Sequence, residues 1–320
     1  METLAEFVLR RPASAAEAAA LLATPGARAI AGGTDLVVNL RRGLEKPALL
    51  VDLVGVPGLD ALSWSDTGYE IGACVTLARL AGDARVRKEL PVLAQAAQAV
   101  AAPTHRSSAT LGGNLCLDTR CVYYNQSEGW RRSNGYCLKR GGEVCHVAPR
   151  GKRCHAAFSG DVAPALLALD ARIELPSRVI ALKDLYRDDG AAHLALAPGE
   201  FVVRIHVPRP APGVRAAYRK VRLRGSIDFP LAGVAVALAC VSGRLEELRI
   251  ALTGTNPRPL LLSGTEELVG QQVDDALLGK IGKLVQKQAS PVRTTLAQAN
   301  YRRQVAAVTA QRLVKELAAL

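Results

Sequence analysis

The chain has 320 residues, 49% hydrophobic and only 4% aromatic, with a formal net charge of +12. That length supports two or three domains whose cores must be filled mainly by Ala, Leu and Val. No apolar run approaches the ~18 residues of a membrane span, and residues 1–11 carry Glu2 and Glu6 in place of a signal-like apolar block, so a cytoplasmic protein with no membrane anchor is expected. The positive charge lies in scattered clusters without a long basic helix, which argues against nucleic acid and leaves an anionic cofactor or an acidic partner.

Ser14-Ala15-Ala16-Glu17 fits a capping box and predicts a helix that stops near Pro25-Gly26. Residues 28–31 read as a strand, Gly32-Gly33-Thr34-Asp35 as a turn, 36–42 as a helix ending at Gly43, and 47–53 as another strand. That order predicts a small parallel α/β subdomain over residues 1–55. From 56 to 212 a larger α+β subdomain is expected, with strands at 69–74, 171–175 and 200–207 and helices at 76–80, 91–101 and 161–168. The proline-rich stretch 208–212 reads as a linker. Strands at 216–221, 231–240 and 245–252 and helices at 274–287 and 296–317 then predict an α+β unit of antiparallel strands and helices over 213–320. The fold class expected is α+β.

Two glycine pairs stand out. Gly32-Gly33 lies between a predicted strand and a helix, where backbone N–H groups and the helix start favour a phosphate. Thr110-Leu111-Gly112-Gly113-Asn114 reads as a second loop of the same type. Two such loops can hold the two phosphates of a dinucleotide from both sides, although the G-x-G-x-x-G fingerprint is missing. Two residues beyond Asn114 begins a basic stretch of 39 residues that holds five of the seven cysteines: Cys116, Cys121, Cys137, Cys145 and Cys154. Four converging thiolates favour zinc or an iron–sulfur cluster. The remaining two, Cys74 and Cys240, fall in predicted strands and read as ordinary buried residues.

The segments 29–36, 110–114 and Gly160-Asp161-Val162-Ala163-Pro164, in that order, resemble the FAD-binding subunits of the molybdenum hydroxylases, the xanthine dehydrogenase and carbon monoxide dehydrogenase family. Tyr218-Arg219-Lys220-Val221-Arg222, with Asp228 beyond it, is similar to that family's C-terminal flavoprotein domain. The resemblance implies an FAD-binding domain over 1–212 and a C-terminal flavoprotein domain over 213–320. It also implies a cofactor site built from Arg28, Ala29, Ile30, Ala31, Gly32, Gly33, Thr34 and Asp35, with the N–H groups of 29–35 on the FAD pyrophosphate. Thr110, Leu111, Gly112, Gly113 and Asn114 would form the opposite wall, with Ala101 beside the flavin or its phosphates. Asp161 would bind the sugar or adenine portion, and Lys220 the pyrimidine edge of the isoalloxazine, where a cation stabilises the charge that builds on reduction. No residue is expected to act as acid or base on the substrate.

Between the second glycine pair and Gly160-Asp161 stand 45 residues, 115–159, where ordinary members have a much shorter link. In this the chain resembles a family member that reductively dehydroxylates 4-hydroxybenzoyl-CoA, and the resemblance implies that the insert binds an additional [4Fe-4S] cluster. Cys116 is tied to the second glycine segment. The resemblance favours Cys121, Cys137, Cys145 and Cys154 as ligands, although their spacings match no ferredoxin pattern. The alternative is zinc on the same sulfurs with His146 or His155, although no CxxC pair is present. The partners implied are a molybdenum-cofactor subunit and a [2Fe-2S] subunit in a heterohexamer (a dimer of heterotrimers), with ferredoxin as donor. Arg120, Arg131, Arg132, Lys139, Arg140, Arg150, Lys152 and Arg153 outnumber Asp118, Glu128 and Glu143 in the insert. They are expected to raise the cluster's potential and to dock an acidic carrier, or else to form a solvated charged loop.

Overall fold

A computed structural model describes residues 4–320. Three short strands open the chain: β1 (Val8–Arg10), β2 (Arg28–Ile30) and β3 (Leu49–Asp52), arranged β1-β3-β2 with both pairings parallel. Helix Ala15–Leu22 makes the first crossover, and Ser14 Oγ accepts the Glu17 N–H as the capping box predicts. The Glu17 carboxylate returns to Ala13 N, one residue earlier than expected. Helix Leu36–Arg41 makes the second crossover. β1 has no counterpart among the predicted strands. It is an edge strand exposed at all three residues, so its sequence shows no alternation.

A five-stranded antiparallel sheet follows: β4 (Leu62–Trp64), β5 (Gly68–Gly72), β6 (Arg172–Glu174), β7 (Val179–Ala181) and β8 (Arg204–Pro208), in the order β4-β5-β8-β6-β7. The apolar faces of helices Leu77–Gly82, Pro91–Ala99 and Val162–Ala168 share its core with Ile71, Ile173 and Ile205. The strand expected over 200–207 begins only at Arg204; Val203 N already bonds Glu174 O at 2.9 Å, but outside the ladder.

The last sheet is antiparallel, β12-β11-β10-β9, built from β9 (Arg215–Val221), β10 (Ala232–Val241), β11 (Arg244–Thr253) and β12 (Leu260–Leu261). Side chains alternate across β10. Val234, Val236 and Leu238 pack under helices Asp275–Gln288 and Ala299–Ala318, while the small Ala235 and Ala237 face the preceding core. Small side chains on that face let the sheet approach helix Pro91–Ala99 closely, which sets β9 against the cleft described below. Helix Ala299–Ala318 starts three residues later than expected, because Thr294 caps a turn by accepting from Ala297 N at 3.0 Å.

Candidate functional site

A cleft of about 1150 Å³ opens at the carboxyl end of β2 and runs between the three sheets. In open parallel α/β sheets this is where ligands bind. All of residues 28–35 line it, as do Ala101, Thr110, Gly112, Gly113, Asn114, Asp161 and Lys220. Leu111 does not. It is fully buried in the hydrophobic core, one residue round the helix turn from the cleft wall.

The two glycine pairs line the same cleft with different chemistry. Among the described residues, the N–H groups of Gly32, Gly33, Thr34 and Asp35 donate to no protein acceptor. Gly33 holds a left-handed φ of +69° that an L side chain rarely adopts. A Cβ on Gly32 would stand 1.8 Å from Ser108 O, so the glycine lets two backbones touch. The second pair is not a loop. It lies inside helix Leu111–Leu115, with Thr110 as its N-cap. Gly112 N donates to Ala73 O at 2.8 Å, Leu111 N to Val75 O at 2.9 Å, and Gly113 N to Thr110 Oγ1 at 3.2 Å. The expected opposite row of phosphate-binding N–H groups is therefore absent from this wall, because helix capping and close packing on Ala73 use those groups.

Across the cleft, Asp161 and Lys220 form an ion pair at 2.9 Å, each side chain 4% exposed. Tyr218 donates to the other carboxylate oxygen at 2.6 Å, and Lys220 also donates to Ala99 O at 3.1 Å. Tyr218 and Lys220 project from the same face of β9 because strands alternate with period two, and Arg222, just past the strand, also donates to Ala99 O at 3.2 Å. Burial pushes the Asp161 carboxyl up while the Lys220 ammonium and the Tyr218 hydroxyl pull it down; burial and the carboxylate push the Tyr218 phenol well up. Ala101 takes a positive φ of 39°, and its carbonyl accepts from Ile227 N and Ser226 Oγ, each at 3.1 Å. Those bonds hold Ile227 and Phe229 at the cleft wall.

The insert closes at its neck, where Arg120 and Ala157 exchange backbone bonds of 2.9 and 2.8 Å. Inside it Cys121, Cys137, Cys145 and Cys154 line one void of about 10 Å³, whereas Cys116 lies in the cleft wall. His146 lines that void too, but its Nε2 is bonded to Tyr136 O at 2.6 Å. No group of three or more His, Cys, Asp or Glu side chains among the described residues could hold a metal ion in this arrangement, zinc or cluster iron alike. The four sulfurs surround a space without meeting at a point, as zinc at about 2.3 Å from each sulfur would require. Burial pushes the Cys154 thiol up to about 12 and raises Cys121 as well.

The insert is not a solvated loop. Arg131 is 1% exposed and donates to Arg42 O at 3.0 Å and Glu128 Oε2 at 2.7 Å; Arg140 donates to Gly43 O at 3.2 Å. Both satisfy carbonyls at the end of helix Leu36–Arg41, whose start is separated from the first glycine pair by two residues. Arg120 pairs with Asp35, and Asp118 N donates to Asp35 Oδ2 at 3.2 Å. The insert thus grips both ends of that helix. Arg131 cannot serve the docking role expected of it, because its charge is consumed inside the protein. Arg132, Arg150 and Lys152 remain exposed.

Residues 5–210 match the family described as FAD binding domain in molybdopterin dehydrogenase, and residues 216–317 the CO dehydrogenase flavoprotein C-terminal domain. The chain belongs to the FAD-binding subunits of the molybdenum hydroxylases. It is 35% identical over 280 residues to the aldehyde oxidoreductase FAD-binding subunit PaoB of Escherichia coli (strain K12), covering 83% of this chain and 86% of that one. It is 29% identical over 317 residues to the carbon monoxide dehydrogenase medium chain of Afipia carboxidovorans, covering 97% and 96%. The solved CO dehydrogenase from Oligotropha carboxidovorans superposes with a TM-score of 0.80 at 28% identity over 99% of both chains. Quinoline 2-oxidoreductase from Pseudomonas putida 86 superposes with a TM-score of 0.78 at 25% identity, over 99% of this chain and 98% of that one.

The residues of this FAD-binding subunit fit the cofactor. Four unbonded N–H groups at the carboxyl end of a parallel strand suit a diphosphate, and a buried cation faces the same cleft. Sequence reasoning gave no place in the cleft to Tyr218, Tyr124, Lys139 or His193, although Tyr218 stood in the C-terminal motif and Lys139 among the cations of the insert; all four line the cleft or bond to its wall. The period-two spacing from Lys220 carried a signal for Tyr218. His193 had none: it reaches the wall through a tertiary contact with Phe158, and burial, then Lys139, pushes its imidazole down to about 4.

Proposed function

We propose that this chain carries electrons in a molybdenum enzyme that dehydroxylates 4-hydroxybenzoyl-CoA to benzoyl-CoA, with FAD in the cleft and a [4Fe-4S] cluster on Cys121, Cys137, Cys145 and Cys154. Loss of the hydroxyl as water takes two electrons and two protons, the electrons coming from ferredoxin. They pass by way of the cluster and FAD to a [2Fe-2S] subunit and a molybdenum subunit, in a dimer of heterotrimers. The observation that carries this reading is that four thiols line one void, within an insert that separates two segments of the cleft.

The residues of this chain that line the cleft have holding roles. Gly32 to Asp35 offer N–H groups to the pyrophosphate, faced by the side chains of Thr110 and Asn114. Asp161 orients Lys220 towards the pyrimidine edge of the flavin, where a fixed cation favours the reduced form. Arg132, Arg150 and Lys152 form the exposed basic surface for an acidic carrier. A second reading, a hydroxylase subunit passing electrons outward, draws support from the similarity to an aldehyde oxidoreductase subunit.

Visible spectra with iron and zinc analysis of the purified protein test the cofactors. Flavin bands and about four irons per chain are expected; zinc without flavin would sink the reading. Cys145→Ser should lose the iron and keep FAD, and full iron retention would show the ligand assignment to be wrong. Reductive titration of the holoenzyme with ferredoxin, with 4-hydroxybenzoyl-CoA as acceptor, separates the two directions of flow. Charge reversal at Arg132 and Lys152 should slow the ferredoxin-dependent rate and flatten its salt response.

A further inference from the structure

Lys139 is the one side chain among the described residues that lines both the cleft and the four-cysteine void. Its side chain is 7% exposed. The ammonium donates to Asp118 Oδ1 and Thr119 Oγ1, each at 2.6 Å, and to Thr119 O at 3.0 Å. It also sits 4.3 Å from the centroid of the Tyr124 ring, a cation–π contact. Tyr124 in turn donates to Asp118 Oδ2 at 2.9 Å and forms part of the cleft wall. Asn39, from the helix that follows the first glycine pair, donates to that same oxygen at 3.1 Å. Every donor position on Lys139 is filled, so its charge is held in one place between the two spaces.

That charge borders both spaces. On the cleft side it adds to burial in pushing His193 down. Burial alone would raise Asp118, yet Lys139 beside it holds the carboxyl below its usual range.

We propose that Lys139 and Asp118 form a shared electrostatic element that sets the reduction potentials of both redox groups together. A buried cation favours the more negative, reduced form of any group within its reach, and low local polarity extends that reach. A buried carboxylate does the opposite. One pair touching both walls therefore shifts the two potentials in the same direction. The inference rests on the proposal that FAD occupies the cleft and a [4Fe-4S] cluster the void.

The test is an anaerobic redox titration of the purified protein, following the cluster by electron paramagnetic resonance and the flavin by absorbance. Lys139→Met should move both midpoints to more negative values and Asp118→Asn should move both to more positive values. Lys139→Arg should keep both near wild type, and Lys283→Gln, on an exposed side chain of helix Asp275–Gln288, should change neither. Shifts of equal sign in the methionine and asparagine variants, or movement of only one midpoint, would overturn the inference. Should Lys139→Met come out without iron, the sign of the Asp118→Asn shifts decides. Wild-type protein without flavin or iron would instead overturn the cofactor reading and is recognised before any variant is made.

Discussion

Gly32-Gly33 and Gly112-Gly113 are the same dipeptide in the walls of one cleft, and their backbones do different work. At the first pair the chain turns from strand to helix, and four successive N–H groups on the cleft wall have no acceptor among the described residues. At the second the chain is already helical, and each N–H is taken by Thr110 or by the backbone at Ala73 and Val75. The absence of a Cβ serves close packing at both, against Ser108 at Gly32 and against Ala73 at Gly112. The dipeptide marks a tight approach; whether it binds an anion depends on what the neighbouring backbone has already satisfied.

The largest separation between the pairs should come from Gly32→Ala. Its Cβ would meet a backbone oxygen, so the loop must move and its N–H groups with it. FAD affinity should fall about 100-fold or more, as read by flavin fluorescence, alongside a stability loss of about 1–3 kcal/mol. In Gly112→Ala the new Cβ would stand 2.7 Å from Ala73 Cβ. Thermal melts should show a loss of about 2 kcal/mol from overpacking, with the folded fraction keeping most of its FAD affinity. If that variant kept its melting temperature and lost the flavin, the contrast drawn between the pairs would collapse.

Asp35→Asn should have a smaller effect. It removes the charge that pairs with the buried Arg120 and holds the insert against the first glycine pair. A loss of about 1–2 kcal/mol is expected, discounted for the partial exposure of Asp35. Faster proteolysis inside the insert should accompany it; an unchanged cleavage pattern would mean that the insert is held elsewhere. Thr110→Val should do least, costing about 1 kcal/mol through the lost cap on Gly113. A cost well above that, with FAD affinity lost too, would show that the hydroxyl serves the cofactor and not only the helix.

Much of the fold was legible because its signals are local. The capping box at Ser14, the alternating apolar run of β10 and the proline-bounded passage into β9 each depend on neighbours within a few residues. The same holds for the first glycine turn. Illegible features depended on distant partners. β1 shows no alternation because it is an exposed edge. The second glycine pair read as a loop because its helix is only five residues long and is held by Ala73 and Val75, far back in the sequence. The insert read as a basic surface because charge was counted without pairing. In the structure Arg120, Arg131 and Lys139 are buried and matched to Asp35, Glu128 and Asp118.

By itself the sequence determined the class of the protein. Ordered glycine, Gly-Asp and lysine segments place it among FAD-binding subunits, and the crowded cysteines mark where it departs from them. Only the tertiary structure decided which backbone N–H groups remain free, which thiols share a void and which cations are already paired. Composition and spacing list the donors and charges a chain possesses. Burial and hydrogen bonding across tens of residues fix which of them are left for a ligand, and those contacts exist only once the three sheets have packed.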